Sequence, residues 1–242
     1  MSPVDRAAHL NRWRHRSLVE KSLLTFGMLI LDLVLPPWPT ALVIFLVMAA
    51  ATLVGARVSW RIWAASLAAP TGFLAAGAAS LLLQVDVHGV ALAPGGITQA
   101  IHLVARAEAG VACLLFLALT TPASDLVAAS RRLGLPAEIA EVALLTYRFL
   151  FLLADTAQAM NAAQAARLGH SGLSRRMTSL GLLVANLLPR ALDRAHRLEI
   201  GLAARGWHGD MRVLSHRPTV SRAGLAAILA VETATATLGI LL

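Results

Sequence analysis

Apolar residues in this chain come in long blocks separated by short polar or basic stretches. The first block covers 22–35 and stops at the turn sequence PPWP; the next two cover 40–56 and 64–83. Between the second and third, Arg57 and Arg61 accompany Trp60 and Trp63, the makeup of a turn at a membrane interface. A Gly- and Pro-rich stretch at 84–100 predicts a loop, and 101–121 is a fourth block. Arg106 and Glu108 lie in its first turns, as partners for each other near the outer surface or for another helix. The last block is 223–242. Several of these five blocks approach the roughly 20 residues that cross a bilayer as a helix. Asp32, inside the first block, is costly in lipid and is expected near the outer end or facing protein. A signal-peptide reading of the first block is disfavoured. No small-x-small cleavage site follows it, and the proline turn runs straight into another block.

Between 122 and 222 the pattern changes. Ser124 is a candidate N-cap for a short surface helix with Leu126, Val127 and Ala128 on its apolar face, ended by Gly134 and Pro136. From Pro136 to about Leu168 the sequence predicts one long helix. Glu138 and Glu141 lie in its first turns, where the dipole favours negative charge. Its apolar core, VALLTYRFLFLLA, is short and interrupted by Arg148, so the helix is expected to be only partly embedded. Its second half is rich in alanine, which favours helix and lets another helix approach closely. A second long helix is predicted over 173–205, kinked near Pro189. Leu192, Ala195, Leu198 and Leu202 mark one face; Arg190, Arg194, Arg197 and Arg205 mark another, and Asp193 pairs with Arg197 at i,i+4. Gly206 ends it, and a connection with Arg212, Arg217 and Arg222 leads to the last block.

Composition sharpens this into an all-α integral membrane protein. The chain has 242 residues, 57% hydrophobic and only 14% charged, against the roughly 25% of a soluble domain. Its net charge of +8 suggests nucleic acid in a soluble protein, but no nucleic-acid motif is present and aromatics are 5%. With the N-terminus in the cytoplasm, all of the 21 basic residues except Arg106 fall on the inside. The organisation that results is a cytoplasmic segment at 1–21, membrane helices one to four within 22–121, a cytoplasmic piece of two long crossing helices within 122–222, and a last membrane helix at 223–242. The one cysteine, Cys113, lies in an apolar run, so it forms no intrachain disulfide and its surroundings disfavour a reactive thiolate.

Each long helix ends in Ala-Ala-Arg, with the arginines at 167 and 205. A single arginine at a helix C-terminus complements the dipole, and a following glycine is an ordinary cap. Two matched tips are less readily explained that way. Small residues suit insertion into a groove, and the guanidinium fork suits a carboxylate. With AARGWHGDMRVL, TTPASDLVAASRRLGLP and the opening VDRAAHLNRWRHRSLVEKSLL, the chain resembles the transmembrane T component of energy-coupling factor transporters, in their cobalt-transport, CbiQ-type branch. The likeness runs over nearly the whole chain. Ala204, Arg205 and Gly206 match the second of the family's two Ala-Arg-Gly signatures. In the first, Ala166 and Arg167 match, Leu168 stands where Gly is usual, and Gly169 comes one later. The complete motif makes Arg205 the more sensitive of the two tips.

The resemblance implies a non-catalytic scaffold in the bacterial inner membrane. It would join a substrate-binding S component to two ATP-binding-cassette ATPase subunits, with one tip docked in each ATPase and the long helices acting as levers. It implies cobalt as the substrate, ahead of nickel and of a vitamin. No cofactor is expected. The eight histidines (9, 15, 88, 102, 170, 196, 208 and 216) are scattered, with no cysteine or carboxylate cluster beside them, so no metal site is expected in this chain. There is no P-loop run and no nucleophile–base arrangement. A permease that itself forms the substrate path would need polar residues converging at mid-membrane, for which Asp32, Arg106 and Glu108 are the candidates. An integral membrane enzyme would need a cluster of His or acidic residues at one face, and none is evident.

Overall fold

A computed structural model describes residues 3–86, 89–131, 134–206 and 220–241. The expectations placed on His88, Arg132, His208, Arg212, His216 and Arg217 lie outside them. The elements are α1 (Pro3–Leu10), a 3-10 turn (Arg12–His15), α2 (Leu18–Val34), α3 (Thr40–Ala50) continued by a π turn (Ala51–Gly55), α4 (Trp60–Leu81), β1 (Leu83–Asp86), β2 (Gly89–Leu92), α5 (Gly96–Thr120), α6 (Ala123–Ser130), α7 (Ala137–Ala166), α8 (Leu173–Ala203) and α9 (Arg222–Leu241). The chain divides into two units, with the boundary inside α6 between Asp125 and Leu126.

The first unit holds α1 to α5 and α9. Among the described residues, three of its helices are long and apolar enough to cross a membrane: α4 with 22 residues, α5 with 25 and α9 with 20. At 1.5 Å per residue each reaches about 30 Å or more, the thickness of the hydrocarbon core. The chain is therefore a multi-pass membrane protein. The apolar helices α2, with 17 residues, and Thr40–Gly55 are shorter and reach only about 25 Å.

Helix α5 is the hub, touching α1, α2, α3 and α4. Small residues on α5, Ala109, Ala112 and Cys113, are fully buried together with Phe116. Against them pack Leu24 and Met28 of α2, Ala41, Ile44 and Met48 of α3, and Ile228 of α9. Alanine along α5 lets neighbouring helices come close, and the larger aliphatic side chains fill the space between them. Asp32 is buried in the last turns of α2, 3.8 Å from the Cβ position of Gly110 on α5, so it faces protein. Arg106 does not pair with Glu108. Its guanidinium donates to the carbonyl of Leu35 at 2.7 Å, satisfying an orphan acceptor just past the end of α2. Both carboxylate oxygens of Glu108 are buried and have no hydrogen-bond partner among the described residues.

The polar N-terminal segment folds onto the end of α5. Asn11 Nδ2 lies 3.2 Å from the Leu119 carbonyl and 3.4 Å from that of Thr120, and Lys21 Nζ donates to Thr120 at 2.9 Å. These side chains cap carbonyls that the helix leaves free. Trp13 stands edge-on to Phe116, with ring centroids 5.4 Å apart, and Arg16 lies over the Trp13 ring at 4.5 Å. Arg14 pairs with Asp125. Glu20, only 2% exposed, accepts from the Ser221 backbone N–H at 2.7 Å and so caps the start of α9.

Two local expectations are corrected. The stretch read as a loop at 84–100 contains the antiparallel ribbon β1–β2, and α5 begins within it at Gly96. Ser124 is not an N-cap: α6 already includes it, and the first backbone bond runs from Asp125 N–H to the Pro122 carbonyl at 3.0 Å. The second unit holds α7 and α8. α8 is continuous through Pro189.

Candidate functional site

Helices α7 and α8, of 30 and 31 residues, are joined by the short link 167–172. They run antiparallel. Near the link, Ser179 Oγ donates to the Gly169 carbonyl at 3.1 Å; further along, Arg148 on α7 and Leu198 on α8 line one depression. In an antiparallel pair the two C-terminal ends point in opposite directions. Arg167 and Arg205 therefore sit at opposite ends of the hairpin, separated by the length of α8, about 45 Å at 1.5 Å per residue.

The two ends are built alike. At the first, Arg167 follows the last residue of α7, Ala166, and Leu168 takes a left-handed conformation with φ +58°. At the second, Gly206 takes φ +68° just after Ala204 and Arg205. The Leu168 N–H donates to the Ala165 carbonyl, and the Gly206 N–H donates to that of Ala203, each at 3.0 Å. This is the same bond, three residues back, that closes a helix with a left-handed cap. The first tip completes the motif, because the Gly169 N–H donates to the Gln164 carbonyl at 2.9 Å. The leucine that departs from the sequence pattern thus keeps the turn geometry that glycine provides. Leucine in this conformation carries a strain of roughly 1–2 kcal/mol that glycine avoids.

Gly169 has a separate role. A Cβ there would lie 2.6 Å from Ser179 Oγ and 2.9 Å from the Gln164 carbonyl oxygen. The turn thus lies against the first turns of α8 with no room for a side chain. Arg176 Nε donates to the His170 carbonyl at 3.1 Å, and Arg175 donates to Ser171 Oγ at 2.8 Å. Bonds from α8 therefore hold the first tip in place.

The side chains of Arg167 and Arg205 are exposed. Among the described residues neither makes an ion pair or a side-chain hydrogen bond. Ala166 and Ala204 beside them are exposed as well. Each tip therefore presents small side chains and an exposed planar fork of donors, which suits a carboxylate-bearing groove. Among the described residues, no three His, Cys, Asp or Glu side chains gather as metal ligands.

Residues 10–216 match the model of the CbiQ family, described as a cobalt transport protein. The chain belongs to the CbiQ family. Within that family, the cobalt transport protein CbiQ of Rhodobacter capsulatus is 51% identical over 242 residues, covering 100% of this chain and 99% of that protein. The cobalt transport protein CbiQ of Salmonella typhimurium is 31% identical over 227 residues, 88% of this chain and all of that protein. A putative fused cobalt transport protein CbiMQ of Methanocorpusculum labreanum is 27% identical over 177 residues, 68% of this chain but 30% of that longer protein.

Proposed function

We propose that this chain is the energy-coupling membrane scaffold of an ATP-driven uptake complex for cobalt. In this reading each of the tips Ala166-Arg167-Leu168 and Ala204-Arg205-Gly206 docks in one of two ATP-binding-cassette subunits. The observation that carries it is the matched pair of exposed arginines, without an ion pair among the described residues, on equivalent caps at opposite ends of one hairpin. Tips about 45 Å apart cannot enter one socket, so they address two. The names of the relatives support cobalt as cargo, and the fused CbiMQ chain supports a second membrane component, the substrate-binding S component, working beside this one. The arginine asymmetry supports a cytoplasmic N-terminus and a cytoplasmic 122–222 segment in a bacterial inner membrane. Rigid helices of 30 and 31 residues suit the transmission of a movement from ATPase to membrane partner.

The experiment is affinity purification of the tagged chain from gently solubilised native membranes, with cobalt uptake measured in cells lacking the chain. Co-purification of two ATPase subunits and one further membrane protein is expected, as is loss of uptake without the chain. Recovery of the chain without ATPases, together with undiminished uptake in its absence, contradicts the reading.

A further inference from the structure

The chain passes between its two units twice, and one small patch of polar residues grips both passages. The first unit ends at Asp125 and resumes at His216. On the outgoing side, Asn11 Nδ2 lies 3.2 Å from the Leu119 carbonyl, Lys21 Nζ donates to the Thr120 carbonyl at 2.9 Å, and Arg14 pairs with Asp125. On the returning side, Glu20 accepts from the Ser221 N–H at 2.7 Å, and a Cβ on Gly224 would lie 3.0 Å from the same carboxylate. Glu20 and Lys21 are consecutive residues of α2. Neighbouring side chains diverge by about 100° around a helix, so one turn of α2 reaches the end of α5 on one side and the start of α9 on the other. All of these contacts lie within the first unit.

Glu20 and Lys21 are each 2% exposed, and Thr120, Thr121 and Pro122 beside them are buried. Glutamate and lysine are almost never buried this deeply unless paired. The outgoing passage is also short. Thr121 is extended, with φ −131°, and α6 begins at Ala123 and runs unbroken across the unit boundary to Ser130. A grip on Asp125, in the first turn of α6, therefore sets the direction of the whole of that helix. We infer that residues 11–21 form a clamp that sets the direction in which the chain leaves the membrane unit for α7 and α8, with the Arg14–Asp125 pair as its latch. The Glu20 and Lys21 contacts are buried and hold the passages to α2, whereas Arg14 and Asp125 are partly exposed. An ion pair exposed to this degree shifts an equilibrium by up to about five-fold. That favours one direction of α6 and still yields when the hairpin is pushed. The clamp does not rest on the docking reading, because every contact in it lies within this chain. Under that reading, it is where a movement of the tips reaches α2, α5 and α9.

The test measures distances between spin labels by double electron–electron resonance, on the full chain in nanodiscs and in a Cys113→Ser background. Labels at Ser59, before α4, and Ser174, on α8, report the direction of the hairpin; both positions are exposed. Labels at Ser59 and the exposed Ser80, both in the first unit, report that unit alone. The parental chain should give one dominant population for each pair. Arg14→Ala and Asp125→Ala should each raise a second population of the Ser59–Ser174 distance by up to about five-fold and leave Ser59–Ser80 unchanged. The double variant should add little to either single change, as for two partners of one contact. Arg14→Lys should stay close to the parent, because it keeps the charge. Helix content by circular dichroism confirms that each variant is folded. Parental Ser59–Ser174 distances in both alanine variants, an equal change in the Ser59–Ser80 pair, or a parental chain already as broad as the variants overturns the inference.

Discussion

Leu168 and Gly206 hold the same left-handed backbone conformation, with φ of +58° and +68°, at the ends of two different helices. One is a residue type that adopts it readily and the other is not. A strained residue kept at a matched position signals that the turn itself matters there. The expectation that the Arg205 tip is the more sensitive of the two therefore loses its geometric basis. With equivalent caps, single changes at Arg167 and Arg205 should weaken docking to a similar degree.

The strain has a measurable sign. Leu168 is well exposed, so Leu168→Gly removes little packing while relieving the left-handed penalty. It should raise the thermal midpoint of the detergent-purified protein, by the equivalent of up to about 1 kcal/mol after the extra chain entropy of glycine is subtracted. Gly206→Ala should lower it by about 1 kcal/mol, although nothing lies within 4 Å of the added Cβ. Opposite signs for the pair support the cap geometry; equal signs contradict it.

Gly169→Ala tests the contact between the first tip and α8. Its Cβ meets a backbone carbonyl as well as the Ser179 hydroxyl, so rotating the serine away does not make room. A loss of about 1–3 kcal/mol is expected, as for other overpacked sites. Hydrogen exchange should quicken over 164–179 and stay unchanged in α5. Parental exchange in the turn would show that Gly169 does not hold it closed.

Glu20 and Asn11 act at longer range. Glu20→Ala leaves the backbone N–H at the Ser221 end of α9 without its acceptor, and Asn11→Ala removes a donor shared by the carbonyls of Ala7, Ala8, Leu119 and Thr120. Each should lower stability by about 1–3 kcal/mol. Glu20→Gln, which keeps the acceptor oxygen, should fall between Glu20→Ala and the parent. Melting curves within experimental error of the parent for both alanine variants would show that these bonds add nothing.

Orientation is open to direct labelling. In a Cys113→Ser background, a cysteine at the exposed position Ser171 should react with a membrane-impermeant maleimide only from the cytoplasmic side, and one at exposed Pro94 only from outside. Cys113 is fully buried, so the background should be low even before its removal. Labelling of position 171 from outside would reverse the placement of the helix pair.

The long helices were legible because their signals are local. Ala-rich and amphipathic periodicity marked 136–168 and 173–205, and the structure has α7 at Ala137–Ala166 and α8 at Leu173–Ala203. The apolar blocks marked α4, α5 and α9 to within a few residues. The N-terminal segment 1–21 carries no apolar block, yet it contains α1 and a 3-10 turn. Its order comes from Leu119, Thr120, Phe116 and Asp125, all more than 100 residues away. Pattern within a window carries no trace of such partners. The cap supplied by Glu20 to Ser221 was hidden for the same reason. The β1–β2 ribbon looks like a loop in the sequence because its strands are only four residues each. At the tips, sequence marked the arginines, but the conformation of Leu168 could be learned only from the backbone.

The most direct test of the two-tip account counts ATPase subunits on the purified complex by native mass spectrometry. The parental chain should carry two. Arg167→Ala and Arg205→Ala should each weaken one docking contact by about 2–5 kcal/mol, the usual effect of removing one partner of a desolvated charge pair, and leave mostly one subunit bound. The double variant should carry none and transport no cobalt, while Arg→Lys at either position should restore docking only in part. Two ATPases retained by the double variant, with cobalt uptake at the parental rate, would contradict the account and leave the arginines as ordinary helix caps.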